Sequence, residues 1–248
     1  MGEALGQSPG LRASGAAAAV SRRRALTKRT FDFAVASVLL VLLSLALLAC
    51  AIAIKLDSRG PVFYRSRRVG QGGREFSMLK FRKMRNDASG LALTLARDDR
   101  FTRIGRFLAQ SKLDELPQLW NVVRGQMSLV GPRPEDAEFV SMHGERYQQI
   151  LEVKPGMTGL CQLAFAKEGA ILDPGDPVGY YTERLLPQKV AIDELYATRT
   201  TLWMDLRILA WTTLAVFGRI DVAVNRGTGR LTRRRRQVRS VEPSVAEA

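Results

Sequence analysis

Phe33-Ala34-Val35-Ala36-Ser37-Val38-Leu39-Leu40-Val41-Leu42-Leu43-Ser44-Leu45-Ala46-Leu47-Leu48-Ala49-Cys50-Ala51-Ile52-Ala53-Ile54 runs for 22 residues without a charge. As a helix it reaches about 33 Å, close to the hydrocarbon thickness of a bilayer. A cleaved signal peptide is shorter and ends at a small-residue site, whereas this run meets Lys55. The chain therefore reads as membrane-embedded. Both flanks are basic: Arg22, Arg23, Arg24, Lys28 and Arg29 precede the run, and Lys55, Arg59, Arg65, Arg67 and Arg68 follow it. The positive-inside rule draws both ends toward the cytoplasm, which a spanning helix cannot satisfy. The pattern predicts a re-entrant helix that enters and leaves by the same leaflet. Such a hairpin needs a break, and Ser44 is the visible candidate.

The rest of the chain is long enough for one domain with its own core. A net charge of +14 calls for an anionic partner, and beside the apolar run that partner is anionic membrane lipid rather than nucleic acid. With one histidine, His143, there is no basis for a His-built metal cluster or a Ser-His-Asp arrangement. Cys50 and Cys161 make no case for a disulfide framework.

Downstream, Pro61 to Arg65 and Glu75 to Phe81 read as short strands joined through Gly70, Gly72 and Gly73, hence a hairpin rather than a phosphate loop. Lys80-Phe81-Arg82-Lys83-Met84-Arg85 is a basic run, either a solvated face or an anion site. Asp98-Asp99 predicts the start of a helix carrying Phe101, Ile104 and Leu108 on one face.

Ser111-Lys112-Leu113-Asp114-Glu115-Leu116-Pro117-Gln118-Leu119-Trp120 holds two adjacent carboxylates before a proline. Leu116, Leu119, Trp120 and Val123 recur at helical spacing, and Pro117 is tolerated only in a first turn. The spacing predicts Asp114 near the N-cap, where the helix dipole favours an ionised carboxylate and free N–H groups suit a phosphate oxygen. On these residues alone a plain capping role is the simpler reading. Pro132-Arg133-Pro134 holds Arg133 extended, as a phosphate clamp or as a rigid turn. Pro174, Gly175, Pro177 and Gly179 mark a mobile loop, and Ile192 to Phe217 reads as one apolar-biased helix lying at the interface or in the core.

The expected fold is therefore mixed α/β, α-rich with a small β-hairpin, in a monotopic membrane protein with one N-terminal re-entrant helix and interfacial amphipathic helices. Residues 1–27 read as a disordered basic leader, 28–57 as the membrane helix, 58–218 as the catalytic portion and 219–248 as a basic flexible tail.

Six motifs in order resemble the bacterial sugar transferases, monotopic polyprenyl-phosphate phosphoglycosyl transferases. They are Lys28-Arg29-Thr30-Phe31-Asp32, Gly60 to Tyr64, Lys80 to Met84, Leu113 to Val122, Gly131 to Pro134 and Lys154 to Gly159. The resemblance implies transfer of a sugar 1-phosphate from a UDP-sugar to undecaprenyl phosphate, with release of UMP, to initiate surface-glycan synthesis. It implies Mg2+ as cofactor and the cytoplasmic face of the bacterial inner membrane as the setting, and it is compatible with a homodimer. By the same resemblance Asp114 is the nucleophile that forms a phosphosugar intermediate and Glu115 the metal partner. Lys80 and Arg133 become phosphate contacts, with Lys28, Arg29 and Asp32 near the approach of the lipid phosphate. The alternatives are a membrane-anchored basic binding protein without turnover and a phosphohydrolase using the same carboxylates. Two departures stand out: family members commonly have proline after the mid-helix serine where this chain has Leu45, and a tyrosine-rich stretch where it has Lys189 to Tyr196.

Overall fold

The computed structural model describes residues 9–86, 93, 98–173 and 175–234, with side chains from Arg22 onward. Two helices open the chain, α1 (Pro9–Leu42) and α2 (Ser44–Asp57). They meet at Leu43, whose backbone lies at φ −92° and ψ 3°, and the axes of Arg22–Leu42 and α2 bend by 61°. Among the described residues no single helix is long and apolar enough to cross a membrane, whereas this bent pair together passes that test.

The bend forms without proline because the two halves dock on different partners. Phe31, Val35, Ala36, Leu39 and Leu40 pack on the main core with Leu119 and Val122, while Leu47, Cys50, Ala51 and Ile54 pack with Phe81, Leu108 and Ile104. One straight helix could not reach both surfaces. Outward, Val38, Val41, Leu42, Leu45, Leu48, Ile52 and Leu56 stay exposed, a continuous apolar face that polar solvent would penalise.

The expected hairpin is present. Strands β1 (Phe63–Val69) and β2 (Glu75–Phe81) pair antiparallel, from Phe63 opposite Phe81 to Val69 opposite Glu75. The predicted helix after Asp98 begins later: α3 spans Arg103–Ser111, and Thr102 caps it by accepting from Gly105 N. Asp98 instead binds the Arg100 guanidinium at 2.6 Å. Thr102 wins the cap because Phe101 is held in a β-bridge with Met84.

Helix α4 (Gln118–Val123) then leads into β3 (Ser128–Val130). Helices α5 (Ala137–Met142) and α6 (Gly144–Ile150) precede β4 (Gly156–Thr158), which pairs parallel with β3. At that crossing a Cβ on Gly131 would stand 2.4 Å from Lys154 O, and one on Gly156 would stand 2.0 Å from Gly131 N. Only glycine permits the approach. Helix α7 (Leu160–Ala164), short α8 (Pro177–Tyr180) and a π-turn at Tyr181–Leu185 lead into α9 (Leu186–Arg199).

The long C-terminal helix read from the sequence is two helices, because α10 (Leu202–Phe217) starts afresh where Thr201 Oγ1 accepts from Met204 N. A last hairpin, β5 (Val222–Val224) with β6 (Leu231–Arg233), lies beyond residue 219, and α1 runs unbroken through residue 27. Arg235 and Arg236 of the basic tail lie outside the described residues.

Candidate active site

Asp114 and Glu115 do not cap α4. They form a separate 3-10 turn, Leu113–Glu115, and α4 receives no side-chain cap. The turn follows Lys112, a non-glycine residue in the left-handed region at φ 61° that ends α3. Strain of this kind is tolerated only where the surroundings impose it. The helix-dipole argument therefore gives way to a different source of charge.

That source is lysine. Lys83 Nζ lies 3.4 Å from Asp114 Oδ2, and Lys80 Nζ lies 3.3 Å from Glu115 Oε1. Burial pushes the Asp114 carboxyl above its ordinary range and the Glu115 charge adds to the rise, while Lys83, Lys80 and Lys112 oppose it. Burial would also raise Glu115, but Lys80, Lys112, Arg133 and Lys83 together outweigh it and hold that carboxyl at about 2. Burial lowers Lys80, with Glu115 pulling it back up. The environments push the two carboxyls apart, the arrangement expected when adjacent acids have different tasks.

The scaffold explains the placement. Asn121 of α4 clasps β2, since its Oδ1 accepts from Leu79 N at 2.9 Å and its Nδ2 donates to Ser77 O at 2.8 Å. Lys80 is thereby fixed beside the carboxylate turn. Lys83 is held from the other side: its carbonyl accepts from Thr102 N at 3.1 Å, and a Cβ on Gly105 would stand 1.8 Å from that oxygen. The basic run at 80–85 thus divides. Lys80 and Lys83 face the acids, while buried Arg82 donates to Ser58 O and Arg59 O and secures the end of α2.

Arg133 joins this group from the β3–β4 side, close enough to lower both Lys80 and Glu115. Behind it lies a buried polar network that gives no periodic signal in the sequence. Glu135 Oε1 accepts from Tyr181 OH at 3.0 Å and Lys189 Nζ at 3.3 Å, and Arg133 Nε lies 3.5 Å away. Lys189 also pairs with Glu168 at 3.1 Å. Asp193 Oδ2 accepts from Arg133 N at 3.2 Å, whereas its buried Oδ1 has no hydrogen-bond partner among the described residues. Burial raises Asp193 to about 8.

Lys28, Arg29 and Asp32 take other partners within the fold. Lys28 Nζ binds Val130 O at 3.1 Å and Asp205 Oδ2 at 2.5 Å. Arg29 donates to Val122 O at 2.6 Å and Val123 O at 2.7 Å, closing the C-terminus of α4. Asp32 accepts from Ser128 Oγ and Leu129 N. The three tie α1 to α4, β3 and α10.

Among the described residues no three His, Cys, Asp or Glu side chains converge. Glu115 offers a hard carboxylate oxygen of the kind Mg2+ takes, since that ion binds through one or two carboxylates and fills its shell with water and substrate phosphates.

Residues 23–219 match the family described as bacterial sugar transferase, and the chain belongs to that family. It is 43% identical over 180 residues to the UDP-glucose:undecaprenyl-phosphate glucose-1-phosphate transferase of Xanthomonas campestris pv. campestris, covering 69% of this chain and 35% of that protein. It is 40% identical over 189 residues to a Caulobacter vibrioides protein of the same name, covering 74% of this chain and 67% of that protein. It is 36% identical over 192 residues to the UDP-N-acetylgalactosamine-undecaprenyl-phosphate N-acetylgalactosaminephosphotransferase of Aeromonas hydrophila, covering 75% of this chain and 42% of that protein. The matched region is thus about a third to two thirds of the length of these relatives.

Proposed function

We propose that the protein transfers a sugar 1-phosphate from a UDP-sugar to undecaprenyl phosphate at the cytoplasmic face of the membrane, releasing UMP. The observation that carries this reading is a buried Asp114 beside Glu115, each with a lysine ammonium within 3.4 Å, in a setting to which Lys112 and Arg133 add positive charge. Such a site suits a dianionic diphosphate, and the relatives' names supply the donor and acceptor classes.

In the proposed reaction an Asp114 oxygen attacks the phosphorus that carries the sugar. The bond from that phosphorus to the bridging oxygen breaks, and UMP leaves with the electron pair. An oxygen of the lipid phosphate then attacks the same phosphorus and frees the Asp114 carboxylate. Lys83 lowers the cost of the buried Asp114 charge, and Lys80 and Arg133 hold phosphate oxygens. Magnesium bound at Glu115 would neutralise diphosphate charge. The bent α1–α2 pair, read as re-entrant, keeps this cluster at the bilayer surface, where the lipid phosphate lies.

The test is incubation of purified protein with magnesium, undecaprenyl phosphate and a panel of UDP-sugars, with UMP as the readout. The panel must include glucose and N-acetylgalactosamine donors, because the relatives differ in the sugar they are named for. UMP release that needs the lipid, with a phosphosugar adduct on Asp114, is the expected result. Release of free sugar phosphate without lipid would favour a phosphohydrolase, and no UMP from any donor would favour a binding protein.

A further inference from the structure

Three arginines from three separate parts of the fold line one cavity, and none of its lining residues belongs to the Asp114–Glu115 cluster. Arg199 ends α9, Arg207 lies in the second turn of α10, Arg230 leads into β6, and together with Trp203 and Met204 they line a space of about 480 Å³. The cavity is built. Arg199 donates to Gly227 O at 3.3 Å, and the turn is fixed by Asn225 Oδ1, which accepts from Gly227 N and Thr228 N at 3.0 Å each. Gly229 supplies the left-handed backbone of the turn at φ +69°, and the turn packs within van der Waals reach of Leu160, Leu195 and Met204.

Among the described residues, no carboxylate forms an ion pair with Arg199, Arg207 or Arg230. Three exposed guanidinium groups around one concavity repel each other, and a bound anion removes that cost. The rim specifies what kind of anion. Trp203 is 70% exposed, and Leu202 and Leu206 on the same helix are each 40% exposed, which would be unfavourable around a site for a freely soluble ion. Tryptophan with arginine is the composition of a membrane interface, where the ring meets acyl chains and the cation meets headgroups.

Depth agrees with composition. Lys28, on the last charged stretch of α1 before its apolar run, pairs with Asp205, which lies between Trp203 and Arg207 on α10. The turn of α10 that carries Trp203 and Arg207 thus lies alongside the charged stretch of α1 that precedes its apolar run.

We propose that the Arg199–Arg207–Arg230 cavity binds the phosphate headgroup of an anionic phospholipid, with Trp203 against its glycerol and upper acyl region. The site rests on the membrane-embedded reading of α1–α2 and is independent of the reaction at Asp114.

The test is native mass spectrometry of the full chain in neutral detergent, titrated with phosphatidylglycerol or phosphatidylcholine. The expected result is one phosphatidylglycerol retained in preference to phosphatidylcholine. Its affinity should fall about thirtyfold in the double variant Arg207→Gln/Arg230→Gln, given about fivefold per interfacial basic residue. Unchanged thermal unfolding of the double variant would show that it folds, and Trp203→Ala, which keeps all three charges, should weaken retention in an independently measured way. Equal retention of both lipids, or undiminished phosphatidylglycerol binding by both variants, overturns the proposal. So does displacement of the lipid by millimolar UMP or by a single-stranded oligonucleotide, either of which would assign the cavity to a soluble anion. None of these readouts requires turnover of a sugar donor, so failure here and failure of the transferase reading are separable.

Discussion

Lys83 Nζ stands 3.4 Å from Asp114 Oδ2 while its own carbonyl is held by Thr102 of the α3 cap, so the cation that faces the buried carboxyl is placed by backbone packing. A lysine on a free loop would sample many positions and be screened by water. This one opposes the burial that raises Asp114.

Replacing Asp114 separates chemistry from folding. Asp114→Asn should abolish UMP release by about a thousandfold or more and leave no phosphosugar adduct, as loss of a covalent nucleophile does. Its folded carboxyl is raised above the unfolded value, so it contributes stability at acid pH that is lost as pH rises through the folded value. The variant should therefore be at least as stable as the parent at pH 8. A clear drop in thermal midpoint at that pH would contradict the buried-carboxyl picture.

Lys83→Met removes a charge that favours ionised Asp114. Activity of the parent should fall as pH drops through the raised Asp114 value, and in the variant this acid limb should move to higher pH. Profiles of kcat/KM against pH for the two proteins decide it. Superimposable acid limbs would mean that Lys83 does not act on Asp114.

Lys189→Met leaves buried Glu135 and half-buried Glu168 without their shared cation. Breaking a buried ion pair from one side costs about 3 to 5 kcal/mol. Chemical denaturation should show a loss of that size. A double change that also replaces Glu135 with Gln should recover part of it.

Asp193, raised to about 8, contributes stability below its unfolded value that is lost as pH rises through 8. Between pH 7 and 9 the parent should lose about 1 kcal/mol from this group. In Asp193→Asn that dependence should vanish, because asparagine retains the neutral shape. Denaturant midpoints at the two pH values are the measurement, and an equal slope in both proteins would refute the assignment.

Re-entrance of α1–α2 predicts that single cysteines at Arg22 and Arg59 label from the same side of sealed vesicles. Cys50 and Cys161 are first replaced by Ser. Labelling from opposite sides would establish a spanning helix.

Patterns with a period were legible in the sequence, and so were motifs with a fixed order. The β1–β2 hairpin follows from alternation and three glycines, and the apolar run is unmistakable. Asp114, Glu115, Lys80 and Arg133 do come together. Lys83 and Lys112 were visible as charges but could not be assigned, because their neighbours on the acids are set by the Gly105 contact and by a left-handed backbone at Lys112. The Glu135–Lys189–Glu168 network joins residues far apart in the chain, and nothing local announces it. Asp98-Asp99 misled for the opposite reason: a good local cap lost to a bridge between Met84 and Phe101. The division at Thr201 was likewise invisible to hydropathy, since both helices are apolar on one side.

The bend at Leu43 carries a consequence for how the protein is made. No proline builds the angle into the peptide, and the two halves are held apart by surfaces that belong to α3 and to α4. Residues 22–57 detached from the rest should be a nearly straight helix. During synthesis this segment emerges before α3 and α4, so the contacts that hold its two halves at 61° are not yet available to it. The angle at Leu43 is thus a product of the later-made domain rather than of the helix's own sequence, and it forms only once α3 and α4 are in place.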